Sequence, residues 1–520
     1  MSTHKSLAKS AGIIGLGILA SRILGFIRDI VVAAVFGTTT PFQAFVVAFR
    51  IPNLFRDLVG EGAANAAIVP VMTEYETTKT RGEFLHLFRT VFNLFFVVLS
   101  VITVLGILFS PLLVRIMAPG FIKEPDKLNL TIQLNRVIFP YIFLIGLTAI
   151  TMGALNTVRH FAVPAFGSSM LNIALIISTL WLGPKIGTFS LGIGVLLGGA
   201  LQLGMNMPVL YRKGLSLDYR DGIRHPANKK IALLLMPRVL GSAVYQLNVL
   251  VDTVLASLAW IVGAGGVAAL YYANRLIQFP LGIFSIALAQ AALPKMSREA
   301  ASKDMEALKD TLSFSLRMVF LIILPASFGL ALMGRPIIRI LFERGRFDSY
   351  STAITQSALF FYSFGLVAYS GIKILVTCFY SMNDTMTPVK TAGIAVFVNV
   401  ILNLILMWPL ALGGLALSTS ISATLNFFML FLALRRKIGS LDSPRLMDCF
   451  LRVFLASAVM GASSLFMMRV FRIESVESSI LRLITLLGVI AAAMAVFTLA
   501  AFAFGVREMK EAFAWVSKKR

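Results

Sequence analysis

The residues of this sequence that could do chemistry are polar and charged side chains inside long apolar segments. A charge within a membrane-spanning helix costs about 2.5–3.5 kcal/mol on insertion scales, so such residues mark functional sites. Residues three, four or seven apart share one face of a helix, and several of these side chains are spaced in this way. In the first two apolar segments the set comprises Arg22, Arg28, Asp29, Arg50, Asn53, Arg56, Asp57 and Glu61.

Arginine dominates this set, and buried charges recur later at Arg238, Asp252 and Arg275. A guanidinium binds two oxygens at once, which suits phosphate. We therefore predict a cationic, water-filled cavity for an anionic substrate, and a diphosphate suits several arginines better than a monocarboxylate. The alternative is that these charges form ion pairs that hold helices together, such as Arg28 with Asp29.

The elements that position these residues follow from the composition. The chain has 520 residues, of which 58% are hydrophobic and 14% are charged, and its mean hydropathy is +0.85. Soluble domains are about 45–50% apolar and about 25% charged, so a soluble globular protein and a disordered one are both excluded. The net charge of +23 indicates basic cytoplasmic loops and anionic membrane lipids, and no nucleic-acid-binding pattern accompanies it.

Apolar runs predict an all-α polytopic membrane protein with about 14 transmembrane helices, because a span takes roughly 20 residues. The sequence from Trp408 to Gly414 offers a turn that divides the longest charge-free run. The charge-free runs are 90–114, 137–158, 161–184, 186–211, 253–274, 351–372, 391–434 and 483–506. Further predicted spans lie near 10–36, 41–73, 231–260, 276–294, 310–334 and 453–468.

Alternate loops differ in their Lys and Arg content. One set of loops, which includes both termini, holds 26 basic residues, and the other set holds 11. Basic loops stay in the cytoplasm, so we expect both termini there, which requires an even number of helices.

A weak internal repeat predicts two lobes of six helices. Residues 21–25 return as 237–241, and 66–73 return as 291–297 with one residue deleted. Six helices separate the copies, which makes the repeat parallel, with an axis along the membrane normal; chance similarity between apolar helices is the alternative. The predicted division is 1–225 for the first lobe, 226–440 for the second, and 441–520 for two extra helices and a basic cytoplasmic tail.

The two extra helices have uncharged interiors, and they could form a groove for a lipid chain or could brace a lobe. The sequence contains no Cys/His metal spacing, no phosphate-binding glycine loop and no HExxH. We therefore expect a transporter and not an enzyme.

Five separated motifs resemble those of the MurJ (MviN) lipid II flippases, in family order, over most of the chain. They are 21–29 (SRILGFIRD), 48–56 (AFRIPNLFR) followed by 61–63, 271–282, 341–347 (LFERGRF) and 379–388. The resemblance implies a 14-helix member of the multidrug/oligosaccharidyl-lipid/polysaccharide exporter superfamily. It also implies that the chain flips lipid II, an undecaprenyl-diphosphate-linked disaccharide pentapeptide, across the bacterial cytoplasmic membrane by alternating access.

The family's cavity arginines match Arg22, Arg28, Arg56 and Arg275, which with Asp29, Arg50, Asn53 and Glu61 form the expected substrate-binding set. Arg50 stands where some members have Lys, which keeps the charge. Gln43 stands where many members have Asp, and Gln278 where some have Glu, so the resemblance does not carry a proton-linked role to these two positions.

In some members, positions that match Asp252, Asn399, Asn403 and Thr419 form a sodium site. Asn403 replaces a second carboxylate, so we expect weaker binding of a monovalent cation here. The alternative is that Asp252 pairs with an arginine such as Arg275. No other cofactor is expected.

Lipid II and membrane lipids are the expected partners, nucleic acid is not, and we expect the chain to act as a monomer. Two other functions stay open. One is another flippase or exporter of the same superfamily, for a different polyprenyl-diphosphate polysaccharide or for a drug with cation coupling. The other is a membrane scaffold that transports nothing, although a scaffold would not need buried arginines in both lobes.

Overall fold

The structure, a computed structural model, describes residues 2–56, 63–158, 160–471, 473 and 478–509, and these residues are largely helical, as predicted. The α-helices up to Ala256 are α1 Ser2–Phe36, α2 Thr40–Phe55, α3 Ala63–Thr78, α4 Arg81–Leu108, α5 Ser110–Met117, α6 Pro125–Ile138, α7 Tyr141–Thr157, α8 Ala162–Trp181, α9 Gly183–Ile186, α10 Phe189–Arg212 and α11 Pro226–Ala256. Those that follow are α12 Ala259–Val262, α13 Gly266–Pro280, α14 Ile286–Ala301, α15 Met305–Phe342, α16 Ser349–Ser381, α17 Met386–Leu410, α18 Leu412–Ile438, α19 Ser443–Val470 and α20 Ser479–Ala503.

Among the described residues, 11 helical segments are long and apolar enough to cross a membrane. Apart from the run 253–274, which is described below, they include all the predicted spans except those near 10–36, 41–73 and 231–260. These three correspond to α1, to α2 with α3, and to α11, which carry the charges described above. The chain is thus a multi-helix membrane protein, and the count of 14 stays a prediction.

The charge-free run 253–274 does not form one helix as predicted. Helix α11 ends at Ala256 and α13 begins at Gly266. Between them, Gly263 and Gly265 have φ values of +91° and +83°, which L side chains rarely adopt. The lack of charge records an apolar environment, whereas these glycines decide where the helix ends.

The predicted turn between Trp408 and Gly414 is confirmed. Helix α17 ends at Leu410 and α18 begins at Leu412, with Ala411 between them at φ +48°. A Cβ on Gly414 would lie 2.1 Å from the carbonyl oxygen of Leu406, so this tight turn requires glycine there.

The chain folds into two compact units. Unit 1 comprises Met1–Leu258 with Gly345–Phe347, and unit 2 comprises Ala259–Arg344 with Asp348–Arg520. Helix α11, with which the predicted second lobe begins, packs against α3 in unit 1. The predicted lobe limits come from the sequence repeat and stay a prediction.

In unit 1, α1 packs on α8, α8 on α10, α10 on α7, and α2 on α6. A Cβ on Gly17 would lie 2.6 Å from the carbonyl oxygen of Ala165, so glycine allows α1 to approach α8 closely. Phe42, Phe84 and Tyr141 are fully buried and fill the core of this unit.

The segment Gly345–Phe347 belongs to unit 1 because it packs on the end of α1. The backbone N–H of Arg346 donates to the carbonyl oxygen of Ala34 at 2.9 Å. A Cβ on Gly345 would lie 2.1 Å from that same oxygen. This contact explains the glycine of the LFERGRF motif.

In unit 2, α16 packs against α13, α14, α15 and α18, and α17 packs against α18. Helix α19 packs on α15, and α20 packs on α19. After α20, the carboxylate of Glu508 lies 2.7 Å from the Arg317 guanidinium of α15, and both side chains are buried. The two C-terminal helices are therefore fixed to unit 2 along α15.

Helix α4 carries a stripe of exposed apolar side chains. The stripe consists of Val97, Val98, Val101, Val104, Leu105 and Leu108. Their spacing puts them on one face of the helix, and such a face suits lipid and not water.

Candidate functional site

Arg28 of α1 is hydrogen-bonded to two side chains, Asp29 and Asn172. Its Nε and Nη2 donate to Asp29 Oδ1 at 3.0 Å and 2.8 Å. Its Nη1 donates to Asn172 Oδ1 of α8 at 2.9 Å. The side chains of Arg28 and Asp29 are 11% and 4% exposed, so the ion pair is largely shielded from water.

Asn172 in turn is held by α1. Its Nδ2 donates to the carbonyl oxygen of Ser21 at 3.0 Å. Ser21 precedes Arg28 by about two helical turns. One amide therefore contacts the backbone of α1 and the guanidinium that projects from it. This arrangement fixes the Arg28 side chain at the junction of α1 and α8.

Arg22 is exposed, unlike Arg28. It lies six residues before Arg28 on α1, and it does not share the Arg28–Asn172 contact. The two arginines of the first helix thus differ, since Arg28 is largely shielded from water and Arg22 is exposed.

Arg50 of α2 is half-buried, and its Nη1 donates to the Thr253 hydroxyl of α11. Asn53 and Arg56 follow on the same helix and are also half-buried. The Oδ1 atom of Asn53 is buried, and it accepts no hydrogen bond from the part of the chain that the structure describes. Asp57 and Glu61 of the predicted set lie outside the described residues.

Arg275 lies in α13 of unit 2. Its guanidinium carbon is 4.9 Å from the ring centroid of Tyr271, and its Nη2 is 3.3 Å from the hydroxyl of that tyrosine. Tyr271 precedes Arg275 by one helical turn, so its ring packs against the guanidinium in a cation–π contact. The predicted arginines thus occur in both units.

Three residues of the predicted cation site meet within unit 2. Asn403 Nδ2 donates to Asn399 Oδ1 at 2.9 Å, and Asn399 Nδ2 lies 3.3 Å from Thr419 Oγ1. Asn399 Nδ2 also lies 3.2 Å from Ser422 Oγ, which the sequence analysis missed. Ser422 follows Thr419 by three residues on α18, and this spacing is the signal that could have identified it.

The donor chemistry of this cluster suits a hard monovalent cation, since its side chains offer amide and hydroxyl oxygens. In this structure, however, Asn399 presents N–H groups to the two hydroxyls. Hydrogen bonds therefore link these polar groups, and a cation would require the Asn399 amide to turn.

Asp252, the fourth predicted ligand, lies in α11 of unit 1. The residue is 8% exposed, and its Oδ2 is 3.5 Å from Asn248 Nδ2. Burial of a carboxylate in an apolar segment is costly, which is the physical reason why Asp252 was predicted as a ligand. It is a neighbour in sequence of Thr253, which receives the Arg50 hydrogen bond.

The two glutamines that replace family acids have different environments. Gln43 is buried, and its Oε1 lies 3.3 Å from the Lys127 ammonium of α6. Lys127 is also 4.1 Å from the ring centroid of Phe121. Gln278 is exposed and donates to Asn274 at 2.6 Å.

The loop between α16 and α17 is built around Asp384. Its carboxylate lies 2.6 Å from Lys437 Nζ and accepts the backbone N–H of Thr387 at 3.0 Å. The hydrogen bond from Lys437 is the main cause that lowers the pKa of Asp384 to about 2. Because it is ionised near neutral pH, Asp384 stabilises the start of α17.

Unit 2 also contains an apolar cavity of about 600 Å³ between α15, α16, α18 and α19. Its wall is rich in phenylalanine and has few polar groups. The phenylalanines are Phe320, Phe328, Phe360, Phe364, Phe427, Phe428, Phe431, Phe450 and Phe454. Such a surface suits a hydrocarbon chain and no charged group.

The chain was compared with known proteins. Residues 32–486 match the family model described as lipid II flippase MurJ. A probable lipid II flippase MurJ of Vibrio cholerae is 33% identical over 517 residues, which cover 98% of each chain. A lipid II flippase MurJ of Burkholderia cenocepacia is 32% identical over 449 residues, covering 85% of this chain and 86% of that one.

Among solved structures, a lipid II flippase MurJ in an inward closed conformation superposes with a TM-score of 0.79 at 26% identity, covering 96% of this chain and 99% of that one. An inward-facing multidrug transporter of the MATE family has a TM-score of 0.70 at 16% identity, covering 81% of this chain and 96% of that one, and it shares the fold. The family match spans most of the chain and includes the motif that carries Arg275, whereas the motif that carries Arg28 lies just before its first residue. The chain therefore belongs to the lipid II flippase MurJ family.

Proposed function

We propose that this protein flips lipid II from the inner to the outer leaflet of the bacterial cytoplasmic membrane by alternating access. The family match over residues 32–486 is the observation that carries the proposal. In this account the chain is a transporter, and it changes no covalent bond of its substrate.

We propose that Arg28 is the main residue that binds the diphosphate. The ion pair with Asp29 lies within one helix, and the hydrogen bond from Arg28 to Asn172 joins α1 to α8, so bracing of these two helices is the alternative role of Arg28. A guanidinium already aligned by a carboxylate and an amide loses little side-chain freedom when phosphate oxygens replace those partners. Arg22, Arg50, Arg56 and Arg275 add positive charge in this proposal.

The buried Oδ1 of Asn53 and the half-buried Arg56 on α2 fit the same role. An amide that can turn offers either an acceptor or a donor to a phosphate or sugar group. Glu61 remains in the proposed substrate-binding set because it belongs to the family motif.

We also propose that the phenylalanine-lined cavity of unit 2 accepts part of the polyprenyl chain. Burial of a hydrocarbon chain contributes about 0.8 kcal/mol for each CH₂ group. The cavity is bounded by α19, one of the two C-terminal helices for which a lipid groove was predicted. The Arg317–Glu508 pair supports bracing as a second role of these helices.

For the driving ion, we propose that Asp252 with Asn399, Asn403 and Thr419 binds sodium weakly and biases the inward–outward equilibrium. The support is a nearly buried carboxylate and a cluster of oxygen donors at the predicted positions. The orientation, with both termini cytoplasmic, rests on the 26 and 11 basic residues of the two loop sets.

Genetic replacement tests the proposed function. The chain is expressed while the essential lipid II flippase of a bacterium is depleted, and lipid II on the outer leaflet is measured with a membrane-impermeant enzyme that cleaves it. We expect growth and cleavage to be restored. Accumulation of the protein in the membrane with neither effect would contradict the proposal, and rescue of a different polyprenyl-diphosphate flippase would favour another cargo.

A further inference from the structure

Pro52 interrupts the hydrogen bonding of α2 in the middle of the predicted substrate set. Proline has no backbone N–H, so the carbonyl of the residue four positions earlier, Ala48, loses its usual helical partner. Ala48 is fully buried, which leaves little access for water to that carbonyl. A buried carbonyl of this kind needs another donor.

Asn135 of α6 supplies that donor. Its Nδ2 lies 3.0 Å from the carbonyl oxygen of Ala48, and the Asn135 side chain is itself fully buried. Its Oδ1 lies 2.8 Å from the Ser110 hydroxyl. The Ala48 oxygen can only accept, so the amide must turn its N–H toward α2 and its oxygen toward Ser110.

A second polar contact also joins α6 to α2. Lys127, eight residues before Asn135 and on the same helical face, reaches Gln43 near the start of α2. Thr131 lies between them on this face, but its hydroxyl bonds the Lys127 carbonyl of its own helix. Asn135 is therefore the member of this stripe that compensates the proline.

The residues around the interruption belong to the substrate set. Arg50 lies between Ala48 and Pro52, Asn53 follows Pro52 directly, and Arg56 lies one helical turn after Pro52. The direction of the helix after Pro52 decides where Asn53 and Arg56 project, and a proline with an unpaired carbonyl leaves that direction poorly fixed.

We propose that Asn135 is a positioning residue for transport: its amide replaces the N–H that Pro52 lacks and holds α2 in the conformation that presents Arg50, Asn53 and Arg56 to the diphosphate. This inference rests on the proposed function. Asn135 does not contact the substrate in it, and acts through the Ala48 carbonyl.

A double-mutant cycle tests the pairing. Asn135→Leu removes the donor, and Pro52→Ala restores the backbone N–H at position 52. Melting temperatures of the purified protein are measured for the parent, both single variants and the double variant. We expect Asn135→Leu to lower the melting temperature clearly in the parent background and much less in the Pro52→Ala background, because the restored backbone N–H then serves the Ala48 carbonyl. Equal losses in the two backgrounds would overturn the pairing.

The positioning role needs a second measurement, the affinity of the purified, folded variants for undecaprenyl diphosphate, well below their melting temperatures. Asn135→Leu should bind about tenfold more weakly, the order expected from one buried hydrogen bond. Thr131→Val, an isosteric change one turn away, should leave the affinity for undecaprenyl diphosphate and the melting temperatures unchanged.

A melting loss in Asn135→Leu with unchanged affinity would show a merely structural residue and overturn the positioning role. If the parent protein fails to bind undecaprenyl diphosphate, the proposed function is contradicted and the positioning role falls with it. The thermal cycle would still decide whether Asn135 compensates Pro52, so the two failures are distinguishable.

Discussion

Arg28 donates through both Nε and Nη2 to one carboxylate oxygen of Asp29, its immediate neighbour in α1. Adjacent residues of a helix point about 100° apart, so both side chains must bend toward each other to meet. The remaining Nη1 reaches Asn172 of α8. The pair thus aligns a guanidinium within one helix, and the amide from a second helix completes the alignment.

Asn172 should control transport without touching the diphosphate in our account. We expect Asn172→Leu to reduce the rate of lipid II flipping about tenfold, because Arg28 loses the amide that aligns it. Thr179→Val on the same helix is the matched control, since Thr179 is fully buried. Flipping rates in vesicles measure the difference, and equal rates for the two variants would refute a special role of Asn172.

The orientation predicted from loop charge can be tested at Arg224, an exposed residue between α10 and α11. Arg224→Cys should resist a membrane-impermeant thiol reagent in intact cells and react after the cells are opened. Asp126→Cys, exposed in the first turn of α6 at an end predicted to lie outside, should react in intact cells, and the two native cysteines are buried. The opposite labelling of the two positions would invert the topology.

The phenylalanine-lined cavity should discriminate between prenyl chains of different length. Ala331→Trp fills part of it, so we expect about tenfold weaker binding of undecaprenyl diphosphate and unchanged binding of geranyl diphosphate. Ala331→Val is the control with a small side chain. Binding to the purified protein measures this, and an equal loss for both ligands would argue against a chain-binding cavity.

Sodium binding should depend on Asp252. We expect sodium to raise the melting temperature of the parent protein more than potassium does at equal ionic strength, because the carboxylate and amide oxygens select a small hard cation. The difference should vanish in Asp252→Asn. Identical curves for the parent in the two salts would exclude the sodium site and leave the membrane potential acting on the cationic residues as the driver.

Sequence patterns predicted the helical fold well because apolar length is a strong signal for a span. The turn at Ala411 was predictable from the proline and glycines around it, whereas the break at Gly263 and Gly265 was masked by an apolar, charge-free run. Absence of charge reports on the surroundings of a segment, and local backbone conformation decides where its helices end.

The candidate site was predictable in its residue types and less so in its contacts. Arg28 and Asp29 were identified as a pair from adjacency, but Asn172 lies 144 residues away, and spacing carries no information about such a contact. Pro52 was visible in the sequence, while its compensating donor on α6 depends on how two helices pack. Arg22 is exposed whereas Arg28 is largely shielded, a difference that the sequence did not predict because both lie in one apolar segment.

The central claim, that Arg28 and Arg275 bind the diphosphate, is tested most directly by lipid II flipping in Arg28→Ala and Arg275→Ala, in cells depleted of their own flippase. The account predicts that both variants accumulate in the membrane and that outer-leaflet lipid II is lost. It also predicts that Arg28→Lys restores little, since a two-oxygen contact becomes a point contact. Normal growth and normal outer-leaflet lipid II in both alanine variants would contradict the account.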